Sequence, residues 1–410
     1  MMRFSLLLCV FTMVSQVASA QLYGLPSEAE LNRLGLTLAW RGQAVIDPNR
    51  DRIKYLTADE QNVYLQATSG IVTTFAGETG RRLWSSLVGQ PDQAGHPAST
   101  NGEQLLLSVG LKVYSLDKMT GEILWEMRIP DHPATSPEID DEQIFVGTVD
   151  GSVFSYDLRK IQGLYERRML PQWTERARMW RFKTPDEIVS QPIVAGETLS
   201  YASQRGIVYG VSKQDKKLRF QFESEGKIFT SLGRSKDLIF IPDTKARLYC
   251  INQNNGRVQW SFSSGAPIRE QPFAVGFQVY AIPQREGIAA LSIASGRQLW
   301  QQPRATQFVA ASETRVYASD ASGNLLVLDR QDGTIIGILP MRDFDMRVSN
   351  DRTDRIYLSN SRGMVIGLRE LDSEFPLYHL YPQRRPILPL FADEEPAEAD
   401  DAAGADDANM

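Results

Sequence analysis

A glycine followed four residues later by tryptophan recurs along this chain at intervals of about 40 residues. The pairs are Gly80/Trp84, Gly121/Trp125, Gly256/Trp260 and Gly296/Trp300. Successive closing aromatic positions lie 41 residues apart from Trp84 to Trp125 and 40 residues apart from Trp260 to Trp300. A fixed period of this length indicates a repeat protein whose units pack against their neighbours.

Each unit carries the pattern of short strands rather than helices. Runs such as Val113-Tyr114-Ser115-Leu116 and Leu325-Leu326-Val327-Leu328 are apolar or alternating, and glycines that suit tight turns separate them. Helical repeats are excluded because these runs are only four to six residues long. Four short antiparallel strands in about 40 residues are typical of one blade of a β-propeller, so the predicted fold is all-β.

The closing aromatic residues have a structural interpretation. A tryptophan at the end of an outer strand can bury roughly 150–250 Å² against the next blade. The sequence predicts this blade-docking role for Trp40, Trp84, Trp125, Trp180, Phe220, Trp260 and Trp300. Gly337 occupies the same position in the seventh unit, so the contact between the seventh and eighth blades is expected to be weaker.

Seven units end at these positions, and residues from about 343 to 369 supply strands of an eighth that lacks its closing strand. The segment Leu36-Thr37-Leu38-Ala39-Trp40 can complete it, which predicts an eight-bladed propeller over residues 36–385 closed by an N-terminal strand. A seven-bladed ring with loose ends is the alternative. Residues 21–35 are predicted to contain a short helix with Ser27 as N-cap and Glu30 completing a capping box.

Both ends have compositions unlike the body. Residues 1–20 resemble a secretory signal peptide cleaved after Ala20, because an apolar stretch precedes Ala18-Ser19-Ala20. Cleavage would remove Cys9 and leave Cys250, in a strand pattern, as a buried and inert thiol.

Residues 386–410 are predicted to be a disordered acidic tail. The formal net charge is −6, and the last 20 residues hold eight Asp or Glu and no Lys or Arg, which leaves +2 for the rest.

One interval is longer than the others. Trp125 and Trp180 lie 55 residues apart, so about 15 residues are inserted, and residues 159–183 are a basic segment with a net charge of +6. Apolar and aromatic residues are interleaved with the charges. The candidate partner-binding residues are Arg167, Arg168, Trp173, Arg176 and Arg178. A solvated loop that shields a blade is the alternative, and contact with the acidic tail of the same chain is another.

The turn and strand Asp117-Lys118-Met119-Thr120-Gly121-Glu122-Ile123-Leu124-Trp125 resembles the hallmark of the pyrroloquinoline-quinone-like (PQQ-like) propeller repeat, Asp-x-x-Thr-Gly-x-x-x-Trp. The resemblance covers residues 36–370 and implies eight blades. In one branch of that family, the quinoprotein dehydrogenases, the channel holds PQQ and calcium and an adjacent cysteine pair is present. Cys250 stands alone here. In size, signal peptide and lack of that pair, the chain is more similar to the non-catalytic BamB-like branch.

The functional prediction is an exported, non-enzymatic scaffold, periplasmic or extracellular, that binds protein partners of the cell envelope. No catalytic residue, cofactor, metal site, nucleic-acid partner or transmembrane segment is expected, and the propeller is expected to be monomeric. Only 3 histidines and 2 cysteines are present, which disfavours a multi-histidine metal cluster and a disulfide scaffold. Two alternatives stay open: a PQQ-dependent quinoprotein oxidoreductase with calcium, and a polysaccharide-binding envelope protein.

Overall fold

The repeat units fold into eight four-stranded antiparallel sheets arranged as the blades of a propeller. The computed structural model describes residues 24–380, so the predicted signal peptide at 1–20 and the predicted tail at 386–410 lie outside the described residues. The eight-bladed prediction is confirmed. No helix among residues 24–380 is long and apolar enough to cross a membrane.

The chain enters through a short helix and the strand that closes the ring. Helix α1 (Glu28–Arg33) has the predicted capping box between Ser27 and Glu30. Strand β1 (Leu36–Gln43) follows it and pairs antiparallel with the last strand, from Leu36 opposite Glu370 to Gln43 opposite Met364. The last blade is therefore built from both ends of the described chain, as the sequence predicts.

The first four blades follow in chain order, each running from the channel outward. Their strands are β2 (Ile53–Ala58), β3 (Asn62–Ala67), β4 (Ile71–Ala76) and β5 (Arg82–Leu87); β6 (Ser99–Thr100), β7 (Gln104–Val109), β8 (Lys112–Asp117) and β9 (Ile123–Arg128); β10 (Glu138–Ile139), β11 (Gln143–Gly147), β12 (Ser152–Asp157) and β13 (Arg178–Lys183); and β14 (Ile193–Ala195), β15 (Thr198–Ala202), β16 (Ile207–Ser212) and β17 (Leu218–Glu223). Helix α2 (Leu158–Glu166) and a 3₁₀ turn (Thr174–Ala177) interrupt the third blade.

The other four blades repeat the same order. Their strands are β18 (Gly233–Ser235), β19 (Leu238–Pro242), β20 (Arg247–Asn252) and β21 (Val258–Ser263); β22 (Phe273–Val275), β23 (Gln278–Ala281), β24 (Ile288–Ser292) and β25 (Gln298–Gln302); β26 (Ala305–Ala311), β27 (Arg315–Asp320), β28 (Asn324–Asp329) and β29 (Ile335–Pro340); and β30 (Met346–Arg347), β31 (Ile356–Ser359) and β32 (Met364–Glu370), with β1 outermost. First strands of adjacent blades, such as β18 and β22, contact each other and so line the channel.

Buried apolar residues form eight clusters, and each cluster spans one junction between adjacent blades. At five junctions a tryptophan or phenylalanine from one outer strand covers the glycine turn of the next blade. The Trp300 indole donates to the Arg330 carbonyl at 2.9 Å, and a Cβ at Gly333, whose φ is +73°, would lie 2.5 Å from the Trp300 ring. At these five junctions glycine therefore provides both the positive φ and the space that the ring needs.

The remaining junctions depart from this rule. Trp180 still donates its indole N–H to the Lys213 carbonyl at 2.8 Å, and there the turn has Lys216 at φ +56° instead of glycine. Between the seventh and eighth blades, Leu34 of the α1 segment lies against Gly337, where a docking ring would stand. The prediction of a weaker contact at Gly337 did not take this helix into account. Leu31 and Leu34 are buried at this junction and fill it.

Candidate functional site

The excursion between β12 and β13 is built on the same aspartate that shapes the ordinary turns. In the second blade the Asp117 carboxylate accepts the Met119 and Thr120 amides and closes a tight turn. In the third blade Asp157 holds the equivalent position, and its carboxylate accepts the Lys160 amide at 3.0 Å as the N-cap of α2. The sequence therefore continues into a helix at the point where its neighbours turn back.

The base of the excursion is fixed to the propeller wall. Ile161, Leu164 and Ala177 are buried in the cluster that contains Trp125, so the excursion covers this ring in place of a glycine turn. The Thr174 hydroxyl accepts the Arg128 amide of the outer strand β9 at 3.3 Å and donates to the Pro171 carbonyl at 2.8 Å. These contacts hold residues 158–177 as an ordered extension of the wall.

The outward side of the excursion carries an exposed aromatic residue beside positive charge. The Trp173 side chain is 45% exposed, and the Arg176 guanidinium carbon lies 4.2 Å from the centroid of its ring. Tyr165 on α2 and Met179 on β13 are also exposed. Stacking of a guanidinium on an indole orders both side chains while both stay accessible.

Arg167 and Arg168 lie at the C-terminal end of α2. Both are exposed, Arg167 is the C-cap residue, and neither makes an ion pair among residues 24–380. Positive charge at this end of a helix interacts favourably with the helix dipole, and these two guanidinium groups keep their hydrogen-bonding capacity for solvent or a partner.

The predicted boundaries of the insertion need a correction, because residues 178–183 are strand β13, the outer strand of the third blade. Its alternation buries Trp180 against the propeller and turns the charged residues outward. Arg178 pairs with Glu175, and Arg181 and Lys183 both pair with Asp150 at 3.0 and 2.9 Å. Arg178 therefore lies at the edge of the candidate surface with its charge largely balanced.

These contacts also affect one carboxyl group. The hydrogen bonds that Asp150 accepts from Lys183, Thr148 and Ser152 outweigh its partial burial and lower its pKa below the usual range. Asp150 belongs to the loop that joins β11 and β12, so its pairing with Arg181 and Lys183 ties the outer strand to the inner part of the same blade. The basic residues of the excursion that make no ion pair within the described range are Arg159, Arg167, Arg168 and Arg176.

The channel holds a carboxyl group that sequence reasoning missed. Glu138 begins the inner strand β10, and burial raises its pKa to about 7, although the positive charges of Arg352 and Arg234 and a hydrogen bond from Gln191 at 3.0 Å oppose that rise. One feature of the sequence could have indicated this residue. Glu138 directly follows Ser136-Pro137, at the start of a strand that lines the channel.

Cys250 lies in β20 and is buried, as its strand pattern predicts. Burial raises the pKa of its thiol to about 12, which keeps it protonated and unreactive at neutral pH.

The fold resembles solved propellers. The crystal structure of BamB from Moraxella catarrhalis superposes with a TM-score of 0.62 at 14% identity, covering 82% of this chain and 99% of that one. The computationally designed Ika8 protein superposes with a TM-score of 0.63 at 14% identity, covering 80% of this chain and 99% of that one. At these identities the likeness concerns the fold alone.

Sequence comparison adds two curated relatives. An outer membrane protein assembly factor BamB from Shewanella oneidensis is 23% identical over 214 residues, which are 51% of this chain and 52% of that protein. A β-alanine-activating enzyme from Drosophila melanogaster is 25% identical over 252 residues, 55% of this chain and 23% of that enzyme. The chain thus spans about half the length of the first relative and about a quarter of the second.

A family model described as outer membrane protein assembly factor BamB matches residues 28–222 and 219–367, which together cover nearly all of the described propeller. The chain belongs to this family of PQQ-like, BamB-like propellers.

Proposed function

We propose that this chain is exported and acts as a non-enzymatic scaffold in the assembly of outer-membrane proteins, with the excursion at 158–177 as a partner-binding surface. Membership of the BamB family supports the process, and the propeller supplies a rigid body with loops on both faces. The observation that carries the proposal is the exposed Trp173–Arg176 pair on a base fixed by buried side chains.

The composition of this surface suits protein recognition. Tryptophan, tyrosine, arginine and methionine are the residue types enriched at interfaces, and Trp173, Tyr165, Arg176 and Met179 are all accessible on one excursion and its adjoining strand. Because the base is ordered, binding would cost less conformational entropy than folding a free loop onto a partner.

The charge of the surface specifies the partner further. Arg167 and Arg168 add accessible positive charge on the same excursion as the Trp173–Arg176 pair. A protein segment that combines acidic residues with an apolar side chain able to pack on the indole would match both features. Such binding should weaken as salt rises, because rim charges contribute through screened electrostatics.

A capture experiment with a matched pair of variants tests this proposal. The tagged mature chain would be incubated with solubilised outer membranes of the organism that produces it, and bound proteins would be identified. The W173A/R176A variant should lose components of the β-barrel assembly machinery. F229A/R269A is the control, because Phe229 is also 45% exposed and Arg269 lies 5.6 Å from its ring on the other face.

Equal capture of that machinery by wild type and W173A/R176A would contradict the proposed surface. Failure of the wild type to capture any of its components would contradict the proposed process. The non-enzymatic part has its own check: reduction of an acceptor dye after PQQ and calcium are added to the pure protein would overturn it.

A further inference from the structure

A cavity of about 490 Å³ opens in the channel wall where the fifth to eighth blades meet. Its lining includes residues that precede the inner strands of the fifth and sixth blades, such as Thr230 and Glu270, and residues of the inner strand of the seventh, such as Gln307. It therefore lies toward the face opposite the excursion at 158–177. The volume is within the range of small-molecule sites, roughly 300–1,000 Å³.

Two carboxamide groups in the lining are oriented by the protein itself. The Gln271 amide nitrogen donates to the Leu232 carbonyl at 3.3 Å, which leaves its oxygen as an acceptor. The Gln307 amide oxygen accepts the Ser319 hydroxyl at 3.4 Å, which leaves its nitrogen as a donor. Neither of the remaining amide atoms has a partner among residues 24–380, so each of these two lining residues keeps one group free for a ligand.

Further polar groups complete the set. Glu270, which is exposed, and Thr230 also line the cavity, and their side chains make no hydrogen bond or ion pair within the described range. Phe273, whose ring stacks on Phe308 with centroids 5.2 Å apart, and Ile282 supply the apolar part. None of the lining residues is lysine or arginine, so the site offers no positive side chain to neutralise a phosphate or carboxylate ligand.

We infer that this cavity binds a neutral, hydroxyl-rich ring of one or two units, that is, a mono- or disaccharide. A carboxylate, a carboxamide oxygen, a carboxamide N–H and a hydroxyl are the mixture of acceptors and donors that adjacent sugar hydroxyl groups require, since each hydroxyl both donates and accepts. The apolar residues can pack against the C–H face of the ring. This inference is independent of the proposed partner surface.

The competing ligand is a small organic cation, because Glu270 carries the one negative charge of the lining. The two classes respond differently to E270Q, which removes the charge and keeps a hydrogen-bonding group. A saccharide keeps most of its affinity in E270Q and loses it in E270A/Q307A, whereas a cation loses its affinity in both variants.

The experiment uses the mature chain and the probes glucose, galactose, N-acetylglucosamine, maltose and spermidine, with binding followed by ligand-observed NMR and calorimetry. We expect at least one of the sugars to bind, with affinity reduced about tenfold or more in E270A/Q307A and nearly unchanged in E286A. Glu286 is exposed in a loop of the sixth blade and is the control. Thermal denaturation of each variant verifies that it is folded.

Absence of binding by all four sugars at millimolar concentration would overturn the inference. Binding of spermidine that E270Q abolishes, without sugar binding, would overturn it in favour of a cation site. Sugar binding that E270A/Q307A leaves unchanged would place the ligand elsewhere and would also overturn it.

Discussion

The junction between the sixth and seventh blades and the junction between the second and third meet the same packing requirement in different ways. At the first, the Trp300 ring is covered by the five-residue glycine turn of the next blade. At the second, the Trp125 ring is covered by α2 and the residues after it. The propeller therefore requires that each docking ring be covered, and the covering element can vary.

This difference separates stability from function. A glycine turn covers the ring and presents little else, whereas residues 158–177 cover Trp125 and also present Trp173, Tyr165 and Arg176 to solvent. The third blade thus gains a surface without losing its junction. If this separation holds, loss of a docking side chain should cost stability, whereas loss of the exposed surface should cost function.

The largest effect is expected from a docking tryptophan. W260A removes a ring that is 9% exposed and leaves a cavity beside Gly296, so the free energy of unfolding should fall by about 3–5 kcal/mol. W173A removes a ring that is 45% exposed and should change it by less than about 1 kcal/mol. Urea denaturation followed by tryptophan fluorescence and circular dichroism measures both. Equal losses would contradict the division of the tryptophans into docking and surface classes.

A somewhat smaller effect is expected where a helix replaces the docking ring. L34A truncates the side chain that lies against Gly337 and should lower the free energy of unfolding by about 2–4 kcal/mol. L380A, at an exposed leucine near the end of the described chain, is the control. An L34A variant as stable as wild type would mean that α1 does not support the closure of the seventh and eighth blades.

The smallest effect concerns the channel and depends on pH. Burial raises the pKa of Glu138 to about 7 from its usual 4.5, so the folded state binds this proton more tightly than the unfolded state. Stability from this group is complete below pH 4.5 and is lost as pH rises toward 7. E138Q should therefore melt a few degrees above wild type at pH 8 and at the same temperature at pH 4. A difference that is independent of pH would show that the carboxyl group does not titrate in this way.

The sequence was sufficient for the repeating part of the molecule, since turn glycines and docking aromatics recur at fixed intervals and each unit obeys the same local rules. It identified β1 as the closing strand because the last unit lacked one. It did not predict that α1 packs at Gly337. This helix takes the place of a docking ring but does not belong to the repeat, so the repeat spacing gives no sign of it. It also extended the insertion over β13, where alternating charges obscured an outer strand.

The sequence predicted where the candidate surface lies but not how its side chains are arranged. Charge and aromatic content singled out residues 159–183, but the pairing of Arg178 with Glu175 and the stacking of Arg176 on Trp173 depend on how the excursion folds. The channel cavity brings together residues from four blades, separated by up to about 120 positions between Thr230 and Ser349. No local pattern in the sequence marks such a site.

The most direct test of the central claim replaces residues 158–177 with Lys-Met-Thr-Gly-Glu, the turn at residues 118–122, because Trp125 and Trp180 are each the third residue of their strands. The variant would replace the natural gene, and the amounts of outer-membrane β-barrel proteins would be measured beside the melting profile of the purified variant. We predict a folded propeller and reduced β-barrel protein levels, as in a gene deletion. A folded variant that maintains normal levels, where the deletion does not, would contradict the account.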